Sequence, residues 1–122
     1  MLKLTQVGGF VMAALIAGGA GASAQAAPAP GGAQAADKGA AVFVAQKCSL
    51  CHSLDGKGNA KGPLDSVGLR LSANELREWM VHPAEMTKKT KAERKPPMRA
   101  YPNLPKEDLD AIVAYMLSLK KK

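Results

Sequence analysis

Both cysteines of the chain and one of its two histidines fall in a single run, Cys48-Ser49-Leu50-Cys51-His52. No other feature constrains the fold as much. Beyond residue 24 the only aromatic side chains are Phe43, Trp79, Tyr101 and Tyr115, within a chain of 122 residues. So little large apolar material makes a thin core, and small domains of this kind commonly depend on a staple, a metal or a cofactor. A disulfide between Cys48 and Cys51 would close too short a loop to stabilise much. The cluster therefore reads as a place where something is held.

The N-terminus reads as an export signal. Lys3 precedes an apolar run from about Val7 to Ala22, and Ala22-Ser23-Ala24 has the small-x-small pattern of a signal peptidase site. The run is short and rich in Ala and Gly, which suits cleavage near Ala24 better than a retained membrane anchor. Residues 1–24 are assigned to this signal. Residues 25–36, "QAAPAPGGAQAA", are expected to be a disordered Ala/Pro/Gly tether. The folded domain is expected over 37–122. The net charge is +7 and Lys3 is the only charged side chain in the signal, so the exported domain is basic.

Helical signals dominate that domain. Asp37 suits an N-cap, and "DKGAAVFVAQKC" follows as a short helix with Gly39 and Phe43 at i and i+4. Gly39 is a poor helix former, so its presence points to close approach by another element. From His52 to Leu71 Gly and Pro predict a loop. Ser72-Ala73-Asn74-Glu75 is a capping box, with Leu71 and Leu76 placed as its hydrophobic staple. Leu76, Trp79 and Met80 share a face, and Pro83 is expected to end that helix. "TKKTKAERK" (87–95) is a basic run, followed by "PPMRAYPNL", an extended segment stiffened by proline. A last helix is expected from about Pro105 to Leu119, with Leu109, Ile112, Val113 and Met116 as its apolar stripe. No strand pattern is evident, so the fold class is all-α.

C-x-x-C-H is the attachment signature of c-type haem. Two thiols at this spacing can form thioethers along one edge of the macrocycle, and the adjacent imidazole can reach the iron. Two other chemistries use the same residue types. A dithiol oxidoreductase places C-x-x-C at a helix N-terminus beside a βαβ unit, whereas here the motif follows a helix and strands are lacking. A zinc site could combine Cys48, Cys51, His52 and His82, although adjacent Cys51 and His52 would have to face one metal.

With these motifs the chain resembles the small bacterial class I cytochromes c. The likeness spans Asp37 to Leu119 and rests on "CSLCH", "GPLDSVGLRLSANELREWM" and "PPMRAYPNLPKEDLDAIVAYMLSL". The resemblance implies a cytochrome c fold of three to four short helices around one covalently bound haem c. It implies Cys48 and Cys51 as anchors, His52 as one iron ligand and Met98 as the other, with Met86 the next candidate. Met80 and Met116 are read as core. His82 is read as an exposed helix-end histidine, with a bis-histidine site as the rival. The resemblance further assigns the Pro63 carbonyl to the His52 Nδ1–H, Leu64 and Leu69 to packing on the haem, and Arg70 and Trp79 to its propionates. Gly39, Phe43 and Tyr115 match the family's contact between first and last helices. One departure is Pro105, which stands where a Ser or Thr cap is common and leaves Asp108 without its reciprocal partner.

The function implied is a periplasmic electron carrier, not an enzyme, that cycles between Fe(II) and Fe(III). Alternatives are a haem-based gas sensor and a dedicated cytochrome subunit of a periplasmic redox enzyme. The partners expected are redox proteins with an acidic docking face, drawn to Lys88, Lys89, Lys91, Arg94 and Lys95. Nucleic acid is not expected as a partner of an exported chain, nor is stable membrane insertion after cleavage, and a monomer is expected.

Overall fold

A computed structural model describes residues 30–122; the expected export signal and the start of the expected tether lie outside the described residues. Among the described residues there are five α-helices: α1 (Pro30–Ala45), α2 (Val67–Arg70), α3 (Ala73–Val81), α4 (Pro83–Thr90) and α5 (Lys106–Ser118). A single turn of 3-10 helix at Cys48–Leu50 and two strands, β1 (Ser53–Leu54) and β2 (Lys57–Gly58), complete the set. The all-α expectation holds, with more helices than the three to four anticipated.

Helix α1 begins seven residues before Asp37, so Asp37 lies inside it and caps nothing. The segment expected to be a tether contributes Pro30 to Ala36 to the helix. Alanine is the best helix former, and proline is tolerated in a helix only at its first turn. Those two preferences prevailed over the low complexity of the segment.

The core is built on α1 crossing α5. Gly39 is buried, and a Cβ there would collide with the Ala111 carbonyl and the Tyr115 Cβ. Four residues on, Phe43 meets Tyr115 edge to face, with ring centroids 6.2 Å apart. Val42, Phe43, Val67, Leu76, Ile112 and Val113 join Met80 and Met116 in one buried cluster. Lys38 on α1 reaches Asp108 at 3.0 Å in the first turn of α5. That turn has no side-chain cap at Pro105. Glu107 and Asp108 instead put negative charge where the helix dipole favours it.

The capping box on α3 is complete: the Glu75 N–H donates to Ser72 Oγ at 3.3 Å, and the Ser72 N–H donates to Glu75 Oε2 at 2.9 Å. Pro83 both ends α3 and starts α4, a helix absent from the expectation. The first part of the basic run is therefore helical, with Lys88 and Lys89 in the last turn of α4 and Lys91 closing it in a left-handed conformation. The small hairpin was also missed. Asp55 and Gly56 both take positive φ, 48° and 74°, between the pairs Ser53–Gly58 and Leu54–Lys57. This is the Asp-Gly type I′ turn, which suits a two-residue connection.

The C-terminus ties down the segment between the hairpin and α2. The Gly68 N–H donates to the Leu119 carbonyl and the Lys121 N–H to the Asp65 carbonyl, each at 2.9 Å. Lys121 Nζ also meets Asp55 Oδ1 at 2.9 Å. A Cβ at Gly68 would collide with the Leu117 carbonyl, so a glycine is required for α2 to pack this closely on the end of α5.

Candidate functional site

The attachment turn follows directly from the end of α1. Lys47 takes a left-handed conformation, φ 56°, and the chain enters the 3-10 turn. With about three residues per turn, i and i+3 fall on the same side, so Cys48 and Cys51 share a face. Cys48 is half-buried, Cys51 is exposed, and neither is in a disulfide. Burial pushes the Cys48 thiol above its usual range. The His52 N–H donates to the Cys48 carbonyl at 2.9 Å, which folds His52 back over the turn.

His52 Nδ1 lies 3.1 Å from the Gly62 carbonyl. A carbonyl only accepts, so the proton sits on Nδ1 and Nε2 keeps its lone pair. The partner is Gly62, not Pro63. The Gly62 carbonyl also accepts from the Ser53 N–H at 3.1 Å, and it is the hairpin and the bend before Pro63 that bring it beneath the ring. Burial is the main cause that lowers the His52 pKa, offset in part by the Gly62 bond, while the Arg94 charge lowers it further. The neutral imidazole that a metal requires is thus the favoured form.

A cavity of about 470 Å³ opens over this turn, within the roughly 300–1,000 Å³ range of cofactor sites. Cys48, Cys51, His52 and Met98 all line it. Leu64, Val67, Leu71, Leu76, Ile112 and Val113 supply apolar wall. Of the other residues singled out from the sequence, Pro63, Arg70 and Trp79 line the cavity as well. Leu69 does not: it is 53% exposed and faces solvent on α2. A four-residue helix presents Val67 inward, and the residue two positions on must then face away. Met86 is buried on α4 and does not line the cavity, whereas Met80 and Met116 line it from the core. His82 is exposed at the junction of α3 and α4 and stays outside it.

Several lining residues escaped the sequence reading. Lys61 and Arg94 bring cationic groups, and Thr87 and Thr90 bring hydroxyls from α4. Arg94 stays exposed at the cavity edge and donates from Nη2 to the Cys51 carbonyl. Nothing in "KAERK" separates it from its solvated neighbours. Lys61, Arg70 and Arg94 are the charged residues of the lining, and no acidic side chain accompanies them.

The donor set suits a flat apolar group with an anionic edge and a central metal. It provides two thiols on one face of a turn, an imidazole with a free Nε2, and a thioether on a proline-stiffened strap. Cationic groups stand at an otherwise apolar wall. Comparison with known proteins agrees. The chain is 33% identical over 94 residues to cytochrome c oxidase subunit 2 of Alkalihalophilus pseudofirmus, a match that covers 70% of this chain. It spans only 26% of that relative's length. No solved structure matches the chain. The family model for cytochrome c matches residues 36–120, from the middle of α1 past the end of α5. This match takes in the attachment turn, the cavity walls and the Met98 strap together; the chain belongs to the cytochrome c family, whose domains bind haem c and transfer electrons.

Proposed function

We propose that the protein is an exported one-electron carrier holding one haem c through thioethers to Cys48 and Cys51, with His52 and Met98 as axial ligands. The observation that supports this most is the convergence of those four side chains on one apolar cavity. The haem supplies the Fe(II)/Fe(III) couple. The chain supplies everything else. The turn at Cys48–Leu50 fixes the two sulfurs, and the Gly62 carbonyl orients His52 and raises its basicity. The apolar walls exclude water, and a Met98 thioether raises the reduction potential relative to a site without it. A haem bound here would be held at its iron by His52 and Met98, which leaves the chain the roles of setting potential and docking, those of a carrier rather than an enzyme.

Export to the periplasm, with cleavage near Ala24, rests on the signal pattern of the first 24 residues. The docking face is assigned to Lys88, Lys89, Lys91, Arg94 and Lys95, all exposed; Arg94 also donates to the Cys51 carbonyl. Such a face selects an acidic redox partner, approached by a monomer. A second reading makes the chain a dedicated cytochrome subunit of a redox enzyme. It is favoured by the likeness to one part of a longer oxidase subunit. A redox titration followed by absorption spectra, with carbon monoxide added to the reduced protein, tests the carrier reading. A low-spin haem inert to carbon monoxide is expected; ready carbon monoxide binding would indicate a gas-binding site and overturn it.

A further inference from the structure

The strap from Ala92 to Pro105 carries Met98 between α4 and α5; Met98, Tyr101 and Leu104 pack against the core cluster, while few hydrogen bonds hold its first half. Its Tyr101 N–H donates to the Met80 carbonyl at 2.8 Å, beyond Met98. Among the described residues, Arg94 Nη2 to the Cys51 carbonyl, across 43 positions of sequence, is the one hydrogen bond from residues 93–100 that reaches beyond the strap; Arg99 Nη2 meets the Tyr101 hydroxyl within it. The guanidinium rests against Gly62, where a Cβ would collide with Nη1. Gly62 is the residue whose carbonyl holds His52. Arg94 also lines the cavity that Met98 enters. One side chain therefore touches the attachment turn and the support of the imidazole, four residues from the thioether.

We infer that Arg94 is a positioning residue, a latch that ties the Met98 strap to the Cys51–His52 turn and keeps the thioether in the cavity. This rests on the reading of Met98 as an iron ligand. A thioether is a weak donor, so its occupancy depends on how well the strap is anchored. A guanidinium on a carbonyl forms a charge-assisted bond, stronger than a neutral one. Lysine keeps the charge but lacks the planar fork that can rest on Gly62 while donating to Cys51. When the strap opens, an added ligand can take the place of Met98. Its apparent affinity scales with the fraction of molecules that are open.

The test is imidazole binding to the oxidised holoprotein, followed through loss of the sulfur-to-iron charge-transfer band. In Arg94→Ala the affinity is expected to rise by about tenfold or more, the consequence of losing one hydrogen bond to a charged group. Arg94→Lys is expected to show a smaller rise, still above about twofold. Lys95→Ala removes a like charge from the same strap without the contact and is expected to stay within about twofold of wild type. The latch is overturned if Arg94→Ala stays within that margin, or if Lys95→Ala rises as much as Arg94→Ala. A lower reduction potential with unchanged imidazole affinity also overturns it, since Arg94 would then act through charge alone. Where Arg94→Ala yields no holoprotein, Arg94→Lys decides by the same margin. Failure of the Met98 reading looks different: the band is missing from wild type, and Met98→Ala leaves imidazole affinity unchanged.

Discussion

At the scale of single residues, the four methionines of the folded domain separate by environment. Met80 and Met116 belong to the buried cluster and also line the cavity; Met86 is buried away from it; Met98 reaches it from a strap with no helical face to fill. Met98→Ala is therefore expected to lower the reduction potential and abolish the charge-transfer band. Met86→Ala is expected to leave both nearly unchanged while destabilising the fold by about 2–5 kcal/mol, the usual cost of emptying a buried site. Spectroelectrochemistry and denaturant unfolding of the two variants check the contrast. The residues the sequence exposed most clearly were those whose chemistry is local: two thiols and an imidazole in one turn. Gly62 and Arg94 act through a backbone carbonyl and a long-range contact, so their residue types give no sign of the role. Leu69 was misplaced because its inward or outward direction depends on the register of α2.

At the scale of elements, the contact between α1 and α5 is the joint on which the cavity rests. Gly39→Ala would drive a methyl group into the Ala111 carbonyl and the Tyr115 Cβ. It is expected to cost about 1–3 kcal/mol by overpacking, read as a lower denaturation midpoint. Ser72→Ala removes the Oγ half of the α3 capping box while the backbone N–H to Glu75 Oε2 remains, and is expected to cost about 1 kcal/mol, measured in the same way. Both features were legible in the sequence: a glycine inside a helical pattern, and Ser-x-x-Glu before an apolar run. The start of α1 was not legible, because an Ala- and Pro-rich segment suits either a tether or a helix, and docking of the following turns on α5 decides between them. Helix α4 was hidden by its charge. Its Lys-rich sequence has few apolar positions, yet Pro83 at the first turn and Met86 packed inward are enough to set it. The hairpin was hidden by its length, since two-residue strands have no periodicity, although Asp55-Gly56 between them was a readable turn.

At the scale of the whole molecule, charge bears on stability through surface ion pairs and, on the proposed reading, on encounter with a partner. Asp55 is held below the usual carboxylate value of 3.8 first by its hydrogen bond from Lys121, and Asp110 first by that from Lys106. Glu75 is held below 4.5 first by the Ser72 backbone N–H. A depressed carboxylate stabilises the fold above its unfolded pKa and loses that contribution as the pH falls through the folded value. His52, lowered from 6.5 chiefly by burial, adds a loss that begins below that value; thermal midpoints are thus expected to start falling below about pH 6.5 and to drop further below about pH 4. The exposed cations of α4 and the strap should draw an acidic partner, with electron transfer fast at low salt and slower as salt rises. Reversing Lys88, Lys89 and Lys91 to Glu should lower the bimolecular rate about tenfold or more at low ionic strength with little change in potential; stopped-flow kinetics reads this directly. All of it presupposes a haem fixed to the attachment turn. Mass spectrometry of a tryptic digest, after acid denaturation of the exported protein, tests that claim most directly. The account predicts that the peptide spanning residues 48–57 bears one haem on Cys48 and Cys51, whereas the same peptide with free thiols or a disulfide would contradict it.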